Sequence, residues 1–205
     1  MATAAVPTDA LAAVPPPAPT TRGYDRGFWG IALVIATEAV IFLGLVSSYF
    51  FLWAGSKTWP QGGIEAPPLT RILIFTPILL LSSVPIFWAE AAIRRGRVMQ
   101  LRIGLFIAFV MGLAFLVNQA LEYRELTFGW RDNAYASIFY TTTGLHGLHV
   151  FVGLLISVVV QIKAALGRYT PHRHTNVQVF SLYWHFVDVV WIVVFSSLYL
   201  APHLR

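Results

Sequence analysis

Between residues 28 and 200 the chain alternates long apolar runs with short polar connections. The runs fall at Phe28–Ala54, Ile72–Ala92, Ile103–Leu121, Ser137–Ala164 and Val177–Leu200. A bilayer takes about 20 residues of helix to cross, so each run predicts one transmembrane helix. The second contains Pro77 and Pro85, and a kink is expected there, of the kind packed membrane helices tolerate. Phe28, Trp29, Trp53, Trp59, Trp88, Trp130 and Tyr199 sit near the ends of runs, where an interfacial aromatic belt is expected. The expected fold is all-α: a polytopic bundle of five transmembrane helices in a single domain over residues 23–205. Residues 1–22 are mostly Ala, Pro and Thr, with Pro15-Pro16-Pro17. That composition predicts a disordered tail. Without a charged start followed by an apolar core, it does not read as a secretory signal.

Polar residues interrupt the runs at helical spacing. The first run carries Glu38, about ten residues in and so near mid-bilayer at the 1.5 Å rise of a helix. The third carries Asn118 and Glu122 at i and i+4. The fourth has Thr142, His146, His149, Gly153 and Ser157 on one face, and the fifth has Ser181, His185 and Asp188. Glu38, His149 and Asp188 are expected at similar depth. An ionisable group there costs roughly 2.5–3.5 kcal/mol on insertion scales, so such groups seldom face lipid. Glu38, Asn118, Glu122, His146, His149, His185 and Asp188 are therefore expected to face one another or a partner, as a buried polar network. Gly44, Gly112, Gly144, Gly147 and Gly153 would let the backbones approach.

Composition agrees with this pattern. Of 205 residues 57% are hydrophobic and 11% charged, against about 25% charged in soluble domains. The formal charge of +5 does not point to nucleic acid, because the cations sit in short loops between apolar runs, which is a topology signal. Arg22, Arg26, Arg94, Arg95, Arg97, Arg102, Lys163, Arg168 and Arg173 fall on one side, nine of the 14. Lys57, Arg71, Arg124, Arg131 and Arg205 fall on the other. The positive-inside rule then places the N-terminus and its tail in the cytoplasm and the C-terminus outside. On the cytoplasmic side Arg94, Arg95, Arg97, His172, Arg173 and His174 are candidates for contact with anionic lipid head groups, or are simply solvated. Cysteine is absent, which excludes disulfides, thiolate chemistry and iron–sulfur clusters.

Three readings of the intramembrane polar groups stand side by side: a network that fixes helix packing, a proton relay, and a metal or haem site. His146-Gly147-Leu148-His149 is an H-x-x-H. The usual helical zinc motif, however, spaces its histidines at i, i+4 with a Glu between. A di-iron bundle needs two Glu-x-x-His motifs. A b-type haem could take one His from each of two helices, such as His149 and His185. No phosphate loop or nucleophile elbow appears.

Three stretches carry a resemblance. They are Glu122-Tyr123 with Asp132-Asn133-Ala134-Tyr135-Ala136-Ser137-Ile138-Phe139-Tyr140, then Thr143-Gly144-Leu145-His146-Gly147-Leu148-His149-Val150, then Tyr183-Trp184-His185-Phe186-Val187-Asp188-Val189-Val190-Trp191. With Thr37-Glu38 they span the membrane region, and the chain resembles subunit III of the haem-copper terminal oxidases. The resemblance implies a polytopic subunit with no redox centre of its own. Its partner would be the catalytic subunit I, which carries the haems and copper, with subunit II and possible further respiratory complexes. It implies a place in the cell's inner (plasma) membrane, stabilisation of subunit I during turnover, and help with proton uptake from the cytoplasm. Glu38 matches a carbodiimide-reactive glutamate of the family, and Glu122, His146, His149, His185 and Asp188 match its other polar positions. The metal reading falls accordingly. The family's long form has seven helices, and its first two have no counterpart here, so the lipid-binding cleft between its two bundles is expected to be absent or filled by another subunit. Cytochrome c is the expected electron donor. The alternatives are subunit III of a quinol oxidase, an accessory subunit of a nitric oxide reductase, and a stand-alone transporter. The last would show an internal repeat, and none is found.

Overall fold

The computed structural model describes residues 26–204; the tail expected at 1–22 lies outside the described residues. In hydrocarbon each backbone N–H and C=O needs a partner, and a helix supplies them all within one segment. The apolar runs accordingly form α1 (Arg26–Ala54), α2 (Leu69–Leu81) with α3 (Ser83–Arg94), α4 (Val98–Glu125), α5 (Ala134–Ala165) and α6 (Thr175–Val194). Five helical spans are long and apolar enough to cross a membrane, with α2 and α3 forming one of them. The spans match the sequence expectation and run a few residues past most of its limits. α4, for instance, extends through Arg102 at one end and Glu122 and Arg124 at the other.

The second span breaks at Ser82, the boundary between α2 and α3. Pro85 has no N–H to give the carbonyl of Leu81, and its ring crowds that carbonyl. Pro77, by contrast, lies inside α2 without ending it. The fifth span continues beyond α6 as a π-helical turn at Phe195–Leu200 and a 3₁₀ turn at Ala201–Leu204.

α4 packs against both halves of the second span and against α5, while α6 packs against α5, α1 and α3. Lipid tails are as apolar as these side chains, so close van der Waals fit rather than escape from water has to hold the helices together. Trp184 on α6 shows how. It is fully buried, and a Cβ placed on Gly112 of α4 or Gly153 of α5 would come within 2.6 or 2.9 Å of its ring. Its indole N–H donates to Ser82 Oγ at 2.8 Å, so the ring also anchors the break in the second span. Gly104 plays the same part between α4 and α3, where a Cβ would sit 2.6 Å from the Pro85 carbonyl.

Two expectations are corrected. Gly44 is not a close-approach glycine, since nothing lies within 4 Å of a Cβ built there. α1 is the outermost span, with Leu33, Val40, Leu43 and Phe51 exposed. Tyr199 is not an interfacial anchor either: it is completely buried, packed on Phe139, Trp191 and Phe195. The π-helical turn carries it back into the bundle.

The connections are fixed by local chemistry. Asn133 caps α5, its Oδ1 accepting from the Ala136 N–H at 2.8 Å while its Nδ2 donates to the Gln61 carbonyl at 2.8 Å. That ties the loop after α1 to the start of α5. At the other end Gly167 closes α5 with φ of 66°. There the Arg168 N–H reaches back to the Lys163 carbonyl at 3.0 Å, the pairing of a glycine-terminated helix. A Cβ on Gly96, after α3, would lie 3.5 Å from the ring of Pro171, after α5. The two basic loops therefore adjoin at one end of the bundle.

Candidate functional site

Glu38 on α1 meets His149 on α5, with 3.1 Å between Oε2 and Nε2. The other ring nitrogen, Nδ1, lies 2.8 Å from the Leu145 carbonyl. A carbonyl only accepts, so Nδ1 carries a proton. Nε2 of a neutral ring is then an acceptor facing a carboxyl oxygen, and the contact needs one further proton, on Glu38 or on His149. The pair is thus a neutral hydrogen bond or an ion pair, and both forms hold that single proton between α1 and α5. Tyr183 on α6 donates to the His149 carbonyl at 3.0 Å, which joins the third helix to the pair.

The second cluster centres on Ser83, the first residue of α3. Its hydroxyl donates to Asp188 Oδ2 at 2.5 Å, and His185 Nδ1 lies 2.8 Å from the Ser83 Oγ. The one serine proton is committed to Asp188, so Nδ1–H donates to Ser83. His185 Nε2 in turn accepts from Ser181 at 3.2 Å. The order is Ser181, His185, Ser83, Asp188, with every donor pointing the same way, and the His185 ring stacks on Phe87 at 4.1 Å. A hydrolytic triad needs the histidine between serine and aspartate. Here the serine lies between them and gives its proton to the acid, so it is not an activated nucleophile.

The remaining expected residues lie elsewhere. Asn118, Glu122 and His146 are buried in the interior. Glu122 lies beside the Tyr199 hydroxyl. The His146 ring sits between Phe115 and Trp191, at 6.0 and 4.7 Å, and neither of its nitrogens has a hydrogen-bonding partner in the described chain. The seven residues therefore do not form one continuous network: Glu38 joins His149, His185 joins Asp188, and the other three stand apart from both. A further knot escaped the sequence reading. Gln119 donates to the Thr143 carbonyl at 2.7 Å and to the Tyr123 hydroxyl at 3.2 Å. Tyr123 in turn lies 2.7 Å from Thr143 Oγ1. Ser83 was missed as well; its one trace in the sequence is the Ser82-Ser83 pair set in an apolar run just ahead of Pro85.

The H-x-x-H pair does not share a site, since His146 points into the aromatic core and His149 toward α1. Nor do His149 and His185 suit a haem, because both nitrogens of each ring are already engaged. Among the described residues no three His, Cys, Asp or Glu side chains come together as a metal site. At the basic end Arg94 pairs with Glu90, while Arg95, Arg97, His172 and Arg173 are exposed and His174 is half-buried.

Residues 20–202 match the family model described as cytochrome c oxidase subunit III. A cytochrome c oxidase subunit 3 of Thermostichus vulcanus is 38% identical over 172 residues, covering 83% of this chain and 85% of the relative. The Synechocystis protein of that name is 38% identical over 177 residues, covering 86% and 76%. The Gallus gallus protein is 34% identical over 177 residues, covering 83% and 68%.

Proposed function

We propose, because the chain belongs to the cytochrome c oxidase subunit III family, that it works as a helical scaffold on the catalytic subunit of that oxidase. It is an accessory subunit III, a multi-pass membrane protein within a complex of oxidase subunits. In our reading its immediate partner is subunit I, which holds the haems and copper, in the plasma membrane with the N-terminus cytoplasmic. The scaffold keeps subunit I active through repeated turnover. The observation that carries this is the use made of the intramembrane ionisable groups: Glu38 and His149 tie α1 to α5, and His185 and Asp188, through Ser83, tie α6 to α3. The outer faces that remain are apolar and suit contact with another membrane subunit or with lipid. The test is to delete the subunit and follow oxygen consumption over many turnovers. We expect a normal initial rate followed by early inactivation. A core that never inactivates early refutes the protective role.

Help with proton uptake is a second reading, favoured by the aligned donors of Ser181, His185, Ser83 and Asp188. His185 and Ser181 open onto a cavity of about 330 Å³ that Glu90 also lines, so a proton entering there meets a hydrogen-bonded line leading inward. Ser83→Ala removes the middle member. If the line carries protons, the assembled variant takes up protons more slowly at unchanged subunit content. Unchanged uptake leaves the cluster a packing device.

A further inference from the structure

We propose that the bundle binds ordered water in its interior, between α4, α5 and the end of the fifth span. The register of α4 on α5 gathers the polar groups there. Gln119 donates to the Thr143 carbonyl and Tyr123 meets the Thr143 hydroxyl, so the two helices lie side by side at this level. Asn118 and Glu122, the residues just before Gln119 and Tyr123, lie one turn apart on α4, and Thr142 and His146 lie one turn apart on α5. The fifth span closes the third side. Trp191 packs on both His146 and Tyr199, at 4.7 and 6.0 Å, and Tyr199 stands beside Glu122. The π-helical turn at Phe195–Leu200 carries Tyr199 to that place.

These groups are buried and short of partners. Asn118, Glu122, Thr142, His146 and Tyr199 are each 3% exposed or less. Asn118 Nδ2, Thr142 Oγ1 and both ring nitrogens of His146 find no hydrogen-bonding partner among the described residues. Thr142 is the telling case. The neighbouring Thr143 hydroxyl donates to the carbonyl four residues back, at 2.7 Å, the usual resort of a helical hydroxyl. Thr142 makes no such bond, so its oxygen is left for another partner. A neutral imidazole has one N–H and one lone pair, so His146 needs both an acceptor and a donor. Water is both, and it is small enough to fit among Phe115, Phe139 and Trp191, the rings around His146 and Tyr199. Bound there, it would join His146 to Asn118 and Thr142, and Thr142 to Glu122. A cation would not serve, because Asn118 Nδ2 offers it a hydrogen rather than a lone pair.

The sign of a substitution separates a group that holds water from a stranded one. Thr142→Val keeps the shape and removes the hydroxyl: a bridged hydroxyl takes its hydrogen bonds with it, whereas loss of a stranded one is a relief. In the purified oxidase complex carrying the full chain, Thr142→Val and Asn118→Leu should each lower the release temperature of the subunit by about 2–4 °C. The double variant should lose less than the sum, since both act on the same water. Thr141→Val, on the exposed side of α5, should change nothing. A cryo-EM map of the wild-type complex that resolves water should show density within hydrogen-bonding distance of His146 and of Thr142 or Asn118. An unchanged or raised release temperature for Thr142→Val, or a map with no such density, overturns the proposal. Density that scatters as a metal ion overturns the assignment to water.

Discussion

Glu38 and His149 illustrate how an intramembrane acid becomes tolerable: each satisfies the other, and the proton they share can sit on either. Glu38→Ala removes one partner and leaves Nε2 of His149 stranded, at a cost of about 1–3 kcal/mol. Glu38→Gln keeps a donor for Nε2, so it should retain most of that stability. Thermal release of the subunit from the purified complex measures the difference, and we expect release temperatures in the order wild type, Gln, Ala. Equal values for the two variants would show that the hydrogen bond contributes nothing. Ser83→Ala should cost more than Ser181→Ala, because Ser83 satisfies both His185 and Asp188 whereas Ser181 satisfies His185 alone. The same melting assay separates them.

At the scale of helices, what could be read from the sequence divides by the range of the interaction. Span number and placement depend on local hydropathy, so the five runs were visible directly. Helix pairings depend on which faces meet, and a single sequence does not state that. The face of Thr142, His146, Gly153 and Ser157 did turn inward, yet His149, one helical turn from His146, points to α1 instead. Glycine was similarly ambiguous: Gly112 and Gly153 admit Trp184, Gly104 admits the Pro85 carbonyl, and Gly44 admits nothing. Substitution makes the distinction measurable. Gly112→Ala and Gly104→Ala should each lower stability by about 1–3 kcal/mol through overpacking, with Gly104 the more severe because a backbone oxygen yields less readily than a ring. Gly44→Ala should leave stability of the isolated chain unchanged or slightly raised. Unfolding of the detergent-solubilised chain tests all three, and a destabilising Gly44→Ala would place α1 wrongly.

For the molecule as a whole, the two ends differ in chemistry as well as charge. The end holding the loops after α3 and α5 carries Arg94, Arg95, Arg97, Lys163, Arg168 and Arg173, drawn together by the contact of Gly96 with Pro171. At the other end Arg71 pairs with Glu125 at 2.9 Å, and Arg131 lies over the Trp130 ring at 4.4 Å. Two of the cations there are engaged within the chain, while most at the first end are free to meet an anionic surface. The cytoplasmic leaflet is the negatively charged one, so we expect the end with the free cations on that side. Because the native chain has no cysteine, orientation can be read with single replacements and a membrane-impermeant thiol reagent. In intact spheroplasts the reagent should modify Arg131→Cys and spare Arg97→Cys and Arg168→Cys, which should react only after permeabilisation. The reverse pattern would put the cationic end against the outer leaflet, where the positive-inside argument fails and the free cations lose the anionic surface that explains them.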